Sequence, residues 1–213
     1  MAPPSSTPSP AAGDPAARDP ADYPATAALL LHGHGEEPEG LAPIAQQLRE
    51  ALRCVLHCPA APEERLPGGG MARSWWPADR DGPHPEAVAG LAASLEDVAD
   101  HQRVIIAGFS QGGAMAVAVA AHLARHRPAL SLRLVVVAGF LPGEVELTHL
   151  PPASNAHALV VLGDADEVVD PFHGELVARR LGRCGWTVTQ WHHPGGHQWH
   201  EAITAEVLGW LRR

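Results

Sequence analysis

The segment G-F-S-Q-G-G at positions 108–113 has the residue types and spacing that a nucleophilic serine needs. An apolar run ending at Phe109 predicts a buried strand before it, and the apolar run 114–121 predicts a helix after it. Ser110 would then lie on a strained strand-to-helix turn that exposes its hydroxyl, and glycines two residues away on each side avoid collisions with backbone. The alternative is a glycine-rich turn whose serine merely caps the helix. The flanking strand and helix favour the nucleophile.

Two backbone amides are candidates to stabilise the oxyanion that such a serine produces. Gln111 opens the predicted helix, so its amide is a free donor at the positive end of the helix dipole. A second donor is expected in the loop after the first strong strand, 29–31, where His34 lies between Gly33 and Gly35. The alternative is an ordinary strand-to-helix turn in which the His34 side chain has no role.

Three aspartates follow a later apolar strand, 158–162, and compete for the role of the acid in a catalytic triad. Asp170 precedes Pro171, a pattern typical of a helix N-cap with proline at the first helical position. Asp164 directly follows the glycine that ends the strand, and we expect it to brace its own loop. Asp166 lies at the tip of the loop and is predicted to orient a histidine.

Four of the 14 histidines lie near the C-terminus and are candidates for the base: His192, His193, His197 and His200. A sharp Pro-Gly-Gly loop follows the predicted last strand, 186–191, and places His197 at its exit, where a base facing the serine is expected. His200 is assigned to the start of the last helix and His193 to the strand end, and both remain alternatives. A zinc site built from these histidines is disfavoured, because no H-E-x-x-H motif or cysteine set accompanies them.

Five motifs occur in order over about residues 26–212: L-H-G-x-G, a Ser-Trp-aromatic segment, G-F-S-Q-G-G, G-D-x-D-x-V-V and a late G-H. Together they resemble the phospholipase/carboxylesterase family of α/β-hydrolases, which includes acyl-protein thioesterases and small bacterial carboxylesterases. The resemblance implies these roles: Ser110 as nucleophile, Asp166 as acid, His197 as base, and the amides of His34 and Gln111 as the oxyanion hole. His34 stands where many members carry a bulky apolar residue, and the segment before the first strand lacks the family's usual opening strands.

The leading functional hypothesis is a cofactor-independent and metal-independent serine hydrolase that cleaves carboxylic esters or thioesters through an acyl-enzyme. Acyl transfer, lactone opening or action on a biosynthetic intermediate are alternatives, because specificity on such a fold resides in its loops. A non-catalytic binding protein on a hydrolase fold is a third class, and an intact set of triad candidates argues against it. The expected partner is a small-molecule ester or thioester.

Two long loops, 59–84 and 140–157, are expected to shape substrate specificity. The candidates for substrate binding in these loops are Trp75, Trp76, Phe140 and Leu141. We expect at least one of the adjacent tryptophans to plug its loop onto the core. The other is a candidate for a wall of the substrate pocket.

Alternating strand and helix patterns over 25–213 predict a single domain with the α/β-hydrolase fold, whose mostly parallel sheet of about six to seven strands has helices on both faces. The predicted strands are 26–32, 53–58, 103–109, 132–139, 158–163 and 186–191. The predicted helices are 42–52, 85–99, 112–126, 171–184 and 200–212. Residues 1–24 are rich in Pro, Ala, Ser and Asp and predict a disordered or loosely attached tail.

Composition argues against several classes of partner. Fifteen basic against 24 acidic residues give a net charge of −9, so neither nucleic acid nor stable association with an anionic membrane is expected. No apolar run reaches transmembrane length, and the N-terminus lacks a signal-peptide pattern. Cys54 and Cys58 would lie about 13 Å apart on one strand, too far for a disulfide. Three cysteines without a plausible pair favour a reducing cytoplasm.

Overall fold

A computed structural model gives the structure of the chain over residues 26–66, 68–95, 103–143 and 155–213. The strands are β1 (Thr26–Leu31), β2 (Val55–His57), β3 (Glu63–Arg65), β4 (Met71–Arg73), β5 (Arg103–Phe109), β6 (Ser131–Val137), β7 (Ala156–Gly163) and β8 (Thr187–His193). The helices are α1 (Ala42–Leu52), α2 (Pro85–Ala93), α3 (Gln111–His126), α4 (Pro171–Arg183) and α5 (Glu201–Leu211). A short 3-10 turn, Pro38–Leu41, leads into α1.

Within these residues, six strands form one parallel sheet in the order β2-β1-β5-β6-β7-β8. Strands β3 and β4 form a separate antiparallel hairpin. Because all strands of the main sheet run in the same direction, the segments that follow β1, β5, β7 and β8 emerge at one edge. No helix in the described part of the chain has both the length and the apolar character that crossing a membrane requires.

The core lies on both faces of the sheet, because alternate side chains of each strand point to opposite sides. Leu29 of β1 and Ile106 of β5 pack on one side in a cluster with α2, α3 and α4. Their neighbours Leu30 and Ile105 pack on the other side with α1 and α5. Helix α3 is buried along most of its length between the sheet and α2, which explains why its sequence is apolar all round. The predicted layers, with helices on both faces, are confirmed.

The predicted loop 59–84 is in part wrong, because it contains the hairpin of β3 and β4. The two strands, E-E-R and M-A-R, carry no alternation of apolar and polar residues, so no pattern in the sequence predicts a strand there. Their backbone pairing is supplemented by an ion pair of 3.7 Å between Arg73 Nη2 and Glu63 Oε1. The hairpin is therefore held by pairing and charge between its two strands, which no apolar pattern in the sequence marks.

Smaller differences occur at the ends of other elements. Strand β8 extends two residues beyond its predicted end, to His193. Helix α2 ends at Ala93, where the Leu95 amide donates to the Ala92 carbonyl in a tighter turn. The remainder of that predicted helix lies outside the described residues, as do the predicted tail 1–24 and the segment 144–154 of the second long loop.

The junction between β5 and α3 is strained, as the sequence predicted. Ser110 has φ 54° and ψ −121°, a left-handed conformation that is costly for a residue with a Cβ. A Cβ on Gly108 would lie 2.1 Å from the Gly112 carbonyl oxygen, and a Cβ on Gly112 would lie 2.3 Å from the His32 carbonyl oxygen. Glycine is therefore required on both sides of the serine, because the obstructing atoms belong to backbone that cannot move away freely.

We expect Gly112→Ala to destabilise the fold by about 3 kcal/mol or more, because the new methyl group overlaps the backbone at the end of β1. Gly209→Ala in α5 is the matched control, since a Cβ there meets nothing within 4 Å. The control should stabilise the protein by about 0.5–1 kcal/mol through helix propensity. Chemical denaturation measures both, and equal effects of the two substitutions would contradict the steric argument.

Candidate active site

The described structure brings Ser110, His197 and Asp166 together at the carboxyl edge of the sheet. His197 Nε2 lies 3.0 Å from Ser110 Oγ, and His197 Nδ1 lies 2.8 Å from Asp166 Oδ2. A carboxylate only accepts, so Nδ1 carries the proton and Nε2 is free to accept from the serine hydroxyl. The three groups form a continuous hydrogen-bonded chain, in the arrangement of a nucleophile, a base and an orienting acid.

The carboxylate of Asp166 is held in place by its own loop. Its Oδ1 accepts hydrogen bonds of 2.9 Å from the amides of Val168 and Val169, while Oδ2 faces His197. The Asp166 side chain is 1% exposed and that of His197 is 16% exposed. The Phe109 ring lies 4.8 Å from the imidazole, centroid to centroid, and covers one side of it. Burial and these hydrogen bonds fix the acid, while the imidazole keeps an open side toward solvent.

The two competing aspartates have other partners. Asp170 caps α4, where its Oδ1 accepts from the Phe172 amide at 2.9 Å. Asp164 lies 2.9 Å from Nδ1 of His192 in an exposed pair, where its carboxylate braces the loop against β8. The helix cap predicted for Asp170 is confirmed, whereas Asp164 holds its loop through His192 of β8 and not through a bond within the loop.

The other candidate histidines also have structural partners. His200 is the N-cap of α5, and its Nδ1 accepts from the Ala202 amide at 3.2 Å. His193 is buried at the end of β8, where its Nδ1 accepts from the Gly195 amide at 3.1 Å. Burial, with a smaller contribution from nearby His200, lowers the pKa of His193, so this ring is held neutral at the base of the loop that carries His197.

The loop after β1 leaves one amide for an oxyanion. The Gly33 amide donates to Glu36 Oε2 at 2.8 Å, and the Gly35 amide donates to the Arg73 carbonyl at 2.8 Å. Between them, the amide of His34 has no acceptor among the described residues. The amide of Gln111 opens α3, where the helix supplies no internal acceptor. The sequence predicted these two amides as oxyanion donors, a role that stays a prediction, and they lie on the two segments that meet at Gly112.

The four residues predicted to bind substrate occupy two environments. Trp75 and Trp76 are each 6% exposed and pack in the core cluster, and the Trp76 ring meets the Phe140 ring edge-on at 6.2 Å. Phe140 and Leu141 are half-buried against the same cluster. The expectation that at least one tryptophan plugs its loop onto the core is confirmed, and the substrate-binding roles stay predictions.

A cleft of about 490 Å³ opens beside the imidazole of His197. Its walls are formed by Glu36, Glu37, Gly40, Leu41, Phe109, Gln198 and Trp199. Its volume lies within the range of about 300–1,000 Å³ that is usual for small-molecule sites. Glu36, which both lines this cleft and accepts from the Gly33 amide in the loop after β1, was not predicted from the sequence, because no motif spacing marks it. In the described part of the chain, no group of three or more His, Cys, Asp or Glu side chains is arranged to hold a metal ion.

Comparison with known proteins places these features in context. The model of one protein family, described as serine hydrolase (FSH1), matches residues 24–199. The Mus musculus protein Esterase OVCA2 is 28% identical over an alignment of 200 positions, and the match covers 79% of this chain and 87% of that protein.

Two solved structures share the fold. Arabidopsis thaliana SOBER1 superposes with a TM-score of 0.68 at 22% identity, covering 88% of this chain and 98% of that one. Zea mays acyl-protein thioesterase 2 gives a TM-score of 0.66 at 22% identity, covering 88% of this chain and 92% of that one. Together with the parallel six-stranded sheet, these matches confirm the predicted α/β-hydrolase fold.

We expect substitutions in the hydrogen-bonded chain to reduce kcat far more than the same substitutions at neighbouring residues. Asp166→Asn and His197→Asn should each lower kcat by about 1,000-fold or more, because the imidazole loses its orientation or is removed. The matched controls are Asp164→Asn and His200→Asn, the second of which keeps a helix-capping side chain. Steady-state kinetics on one activated ester measures all four, and a larger loss in the controls would move the acid and base to those residues.

Proposed function

The chain belongs to the serine hydrolase (FSH1) family and is an esterase-type hydrolase, and we propose that it cleaves carboxylic esters or thioesters through an acyl-enzyme on Ser110. The observation that supports this proposal most directly is the unbroken chain from Asp166 through His197 to Ser110, with contacts of 2.8 Å and 3.0 Å. The strained backbone at the serine supports it further, since such strain is retained where a function depends on it.

In the acylation step, Ser110 Oγ attacks the carbonyl carbon of the ester and its proton passes to His197 Nε2. The carbonyl oxygen becomes an oxyanion that accepts from the amides of His34 and Gln111, which carry no net charge but are fixed in place before the reaction. Collapse of this intermediate breaks the bond to the leaving group. The leaving alcohol or thiol takes the proton from His197, and the acyl group stays on the serine.

Deacylation repeats the same steps with water as the nucleophile. His197 Nε2 takes a proton from the water as its oxygen attacks the acyl carbon, and the two amides again hold the oxyanion. Collapse releases the carboxylic acid, and the proton returns from His197 to Ser110 Oγ. Throughout both steps Asp166 stabilises the imidazolium by charge and by the 2.8 Å hydrogen bond to Nδ1.

We expect Ser110→Ala to fold normally and to have no measurable esterase turnover, because the attacking oxygen is absent. A fluorophosphonate probe should add to the wild-type protein and not to this variant, as measured by intact mass. Ser131→Ala, at the opposite end of the sheet at the start of β6, is the control and should label and turn over like the wild type. Retention of a tenth of wild-type activity by Ser110→Ala would disprove the nucleophile assignment.

The walls of the cleft bear on the size of the acyl group. Leu41, Phe109 and Trp199 supply apolar contact, but two acidic residues, Glu36 and the Arg73-paired Glu37, line the same cleft. A long alkyl chain laid across these charges would remove them from water at a cost that offsets the burial of methylenes. The polar side chain of His34 and the net charge of −9 act in the same direction, against long acyl chains and anionic bilayers.

We therefore expect a preference for short and medium acyl chains on soluble esters. In a series of p-nitrophenyl esters, kcat/KM should stop rising before about twelve carbons, because buried methylenes no longer add contact. A continuous rise beyond that length, at the slope expected for about 0.8 kcal/mol per buried methylene, would overturn the prediction. Assays below the critical micelle concentration keep substrate aggregation out of the measurement.

A further inference from the structure

Trp75 contacts both segments that carry the oxyanion donors. Its indole Nε1 donates to the His32 carbonyl at 2.8 Å, and its backbone amide donates to Gln111 Oε1 at 3.0 Å. His32 lies two residues before His34 in the loop after β1, and Gln111 supplies the second oxyanion donor from α3. One buried residue, outside both segments, therefore bonds to each of them.

The bond from the Trp75 indole to the His32 carbonyl lies where the loop after β1 contacts α3. The His32 carbonyl oxygen is the atom that a Cβ on Gly112 would strike at 2.3 Å, so this carbonyl lies directly against the start of α3. The His32 ring lies 5.0 Å from the Trp75 ring, and its Nε2 accepts from the Ala61 amide at 3.0 Å. The indole N–H therefore fixes the part of the loop whose position sets the separation between the loop and the helix.

The second bond belongs to a buried network around the side chain of Gln111, which is 8% exposed. Its Nε2 donates to Ser74 Oγ at 3.1 Å and to the Trp76 carbonyl at 3.1 Å, and its Oε1 accepts from Trp75. The Ser74 hydroxyl, the Trp75 amide and the Trp76 carbonyl thus all bond to the side chain of Gln111. The backbone amide of that same residue is the proposed oxyanion donor.

Segment 74–76 is itself attached to a rigid support. The Ser74 amide donates to the Pro62 carbonyl at 2.9 Å, next to the hairpin of β3 and β4. Arg73 of that hairpin pairs with Glu37 and accepts from the Gly35 amide at 2.8 Å. The hairpin and the loop after β1 are therefore joined at Arg73, two residues before Trp75.

From these contacts we propose that Trp75 is a positioning residue that sets the spacing between the two oxyanion donors, rather than a wall of the substrate pocket. This inference rests on the proposed function of Ser110. Trp75 is 6% exposed, which leaves little of its ring to contact substrate, so it acts through its bonds to His32 and Gln111. An oxyanion hole requires both donors at about 2.7–3.1 Å from one oxygen, which a small shift of either segment would spoil.

The variant that tests this is Trp75→Phe, which keeps an aromatic ring in the core but removes the donor to the His32 carbonyl. We expect kcat to fall by about 10- to 100-fold, since displacing a donor costs less than deleting it. KM for an activated ester should change by less than about two-fold, because ground-state binding does not use the oxyanion hole. A substrate wall would behave in the opposite way and raise KM.

Binding of a transition-state analogue tests the oxyanion hole directly, and a purely structural role of Trp75 would leave this binding unchanged. Ser110 Oγ adds to the carbonyl carbon of an alkyl trifluoromethyl ketone, its proton passes to His197, and the ketone oxygen becomes an oxyanion between the two amides. The inhibition constant of this ketone should rise in Trp75→Phe by the same factor by which kcat/KM falls. Binding of the matching alkyl methyl ether, which forms no oxyanion, should be unchanged.

Trp186→Phe is the matched control. Trp186 is 4% exposed, lies between α4 and β8 at the opposite edge of the sheet, and its buried indole N–H has no acceptor among the described residues. The substitution removes the same atoms from a buried site but breaks no hydrogen bond. Kinetics and ketone inhibition of Trp186→Phe should match the wild type.

The outcomes separate this inference from the proposed function. A wild-type protein that neither turns over esters nor binds the ketone would refute the proposed function itself. An active wild type with Trp75→Phe indistinguishable from Trp186→Phe, or with the loss confined to KM, would overturn the role of Trp75. Should Trp75→Phe not fold, Gln111→Met removes the other half of the contact while keeping the backbone amide, and the same loss in kcat and in ketone binding is expected. A change in KM alone in that variant would overturn the inference equally.

Discussion

The structure of the site depends on a backbone-to-backbone contact between the end of β1 and the start of α3. The carbonyl groups of Leu31 and His32 approach Gly112 so closely that no side chain fits between them. This contact brings the loop that carries His34 against the helix that carries Gln111. It also accounts for the left-handed Ser110, because the chain must reverse from β5 into α3 within the space that this contact leaves.

Several parts of the site follow from the sequence because their causes are local or depend only on strand direction. The glycines at 108 and 112 predicted that a side chain at either position would collide with backbone. In the structure a Cβ at each position would overlap a backbone carbonyl. Asp166 and His197 each follow a predicted parallel strand, so their loops had to emerge at the same edge as the serine. The Asp-Pro pattern of a helix cap argued against Asp170 as the acid of the triad, and in the structure Asp170 does cap α4.

Other parts could not be predicted, because they rest on contacts between residues far apart in the chain. The hairpin of β3 and β4 has a charged, irregular pattern and owes its position to Arg73, which contacts Glu37 and the Ala61 carbonyl. The tryptophan pair was visible in the sequence, but whether an indole faces substrate or core depends on an acceptor such as the His32 carbonyl. Periodicity carries no information on either point.

In the loop after β1, neighbouring groups accept from two of three successive amides and leave the amide of His34 without an acceptor among the described residues. Each of the three successive amides at 33–35 could face an oxyanion, yet Glu36 accepts from the first and Arg73 accepts from the third. Glu36, whose carboxylate accepts from the Gly33 amide, also lines the cleft beside His197. A negative charge there opposes an oxyanion unless the two donors are held firmly toward the reacting oxygen. Under the proposed function, the buried hydrogen bonds of Trp75 and Gln111 hold the two donors in this way beside the acidic cleft.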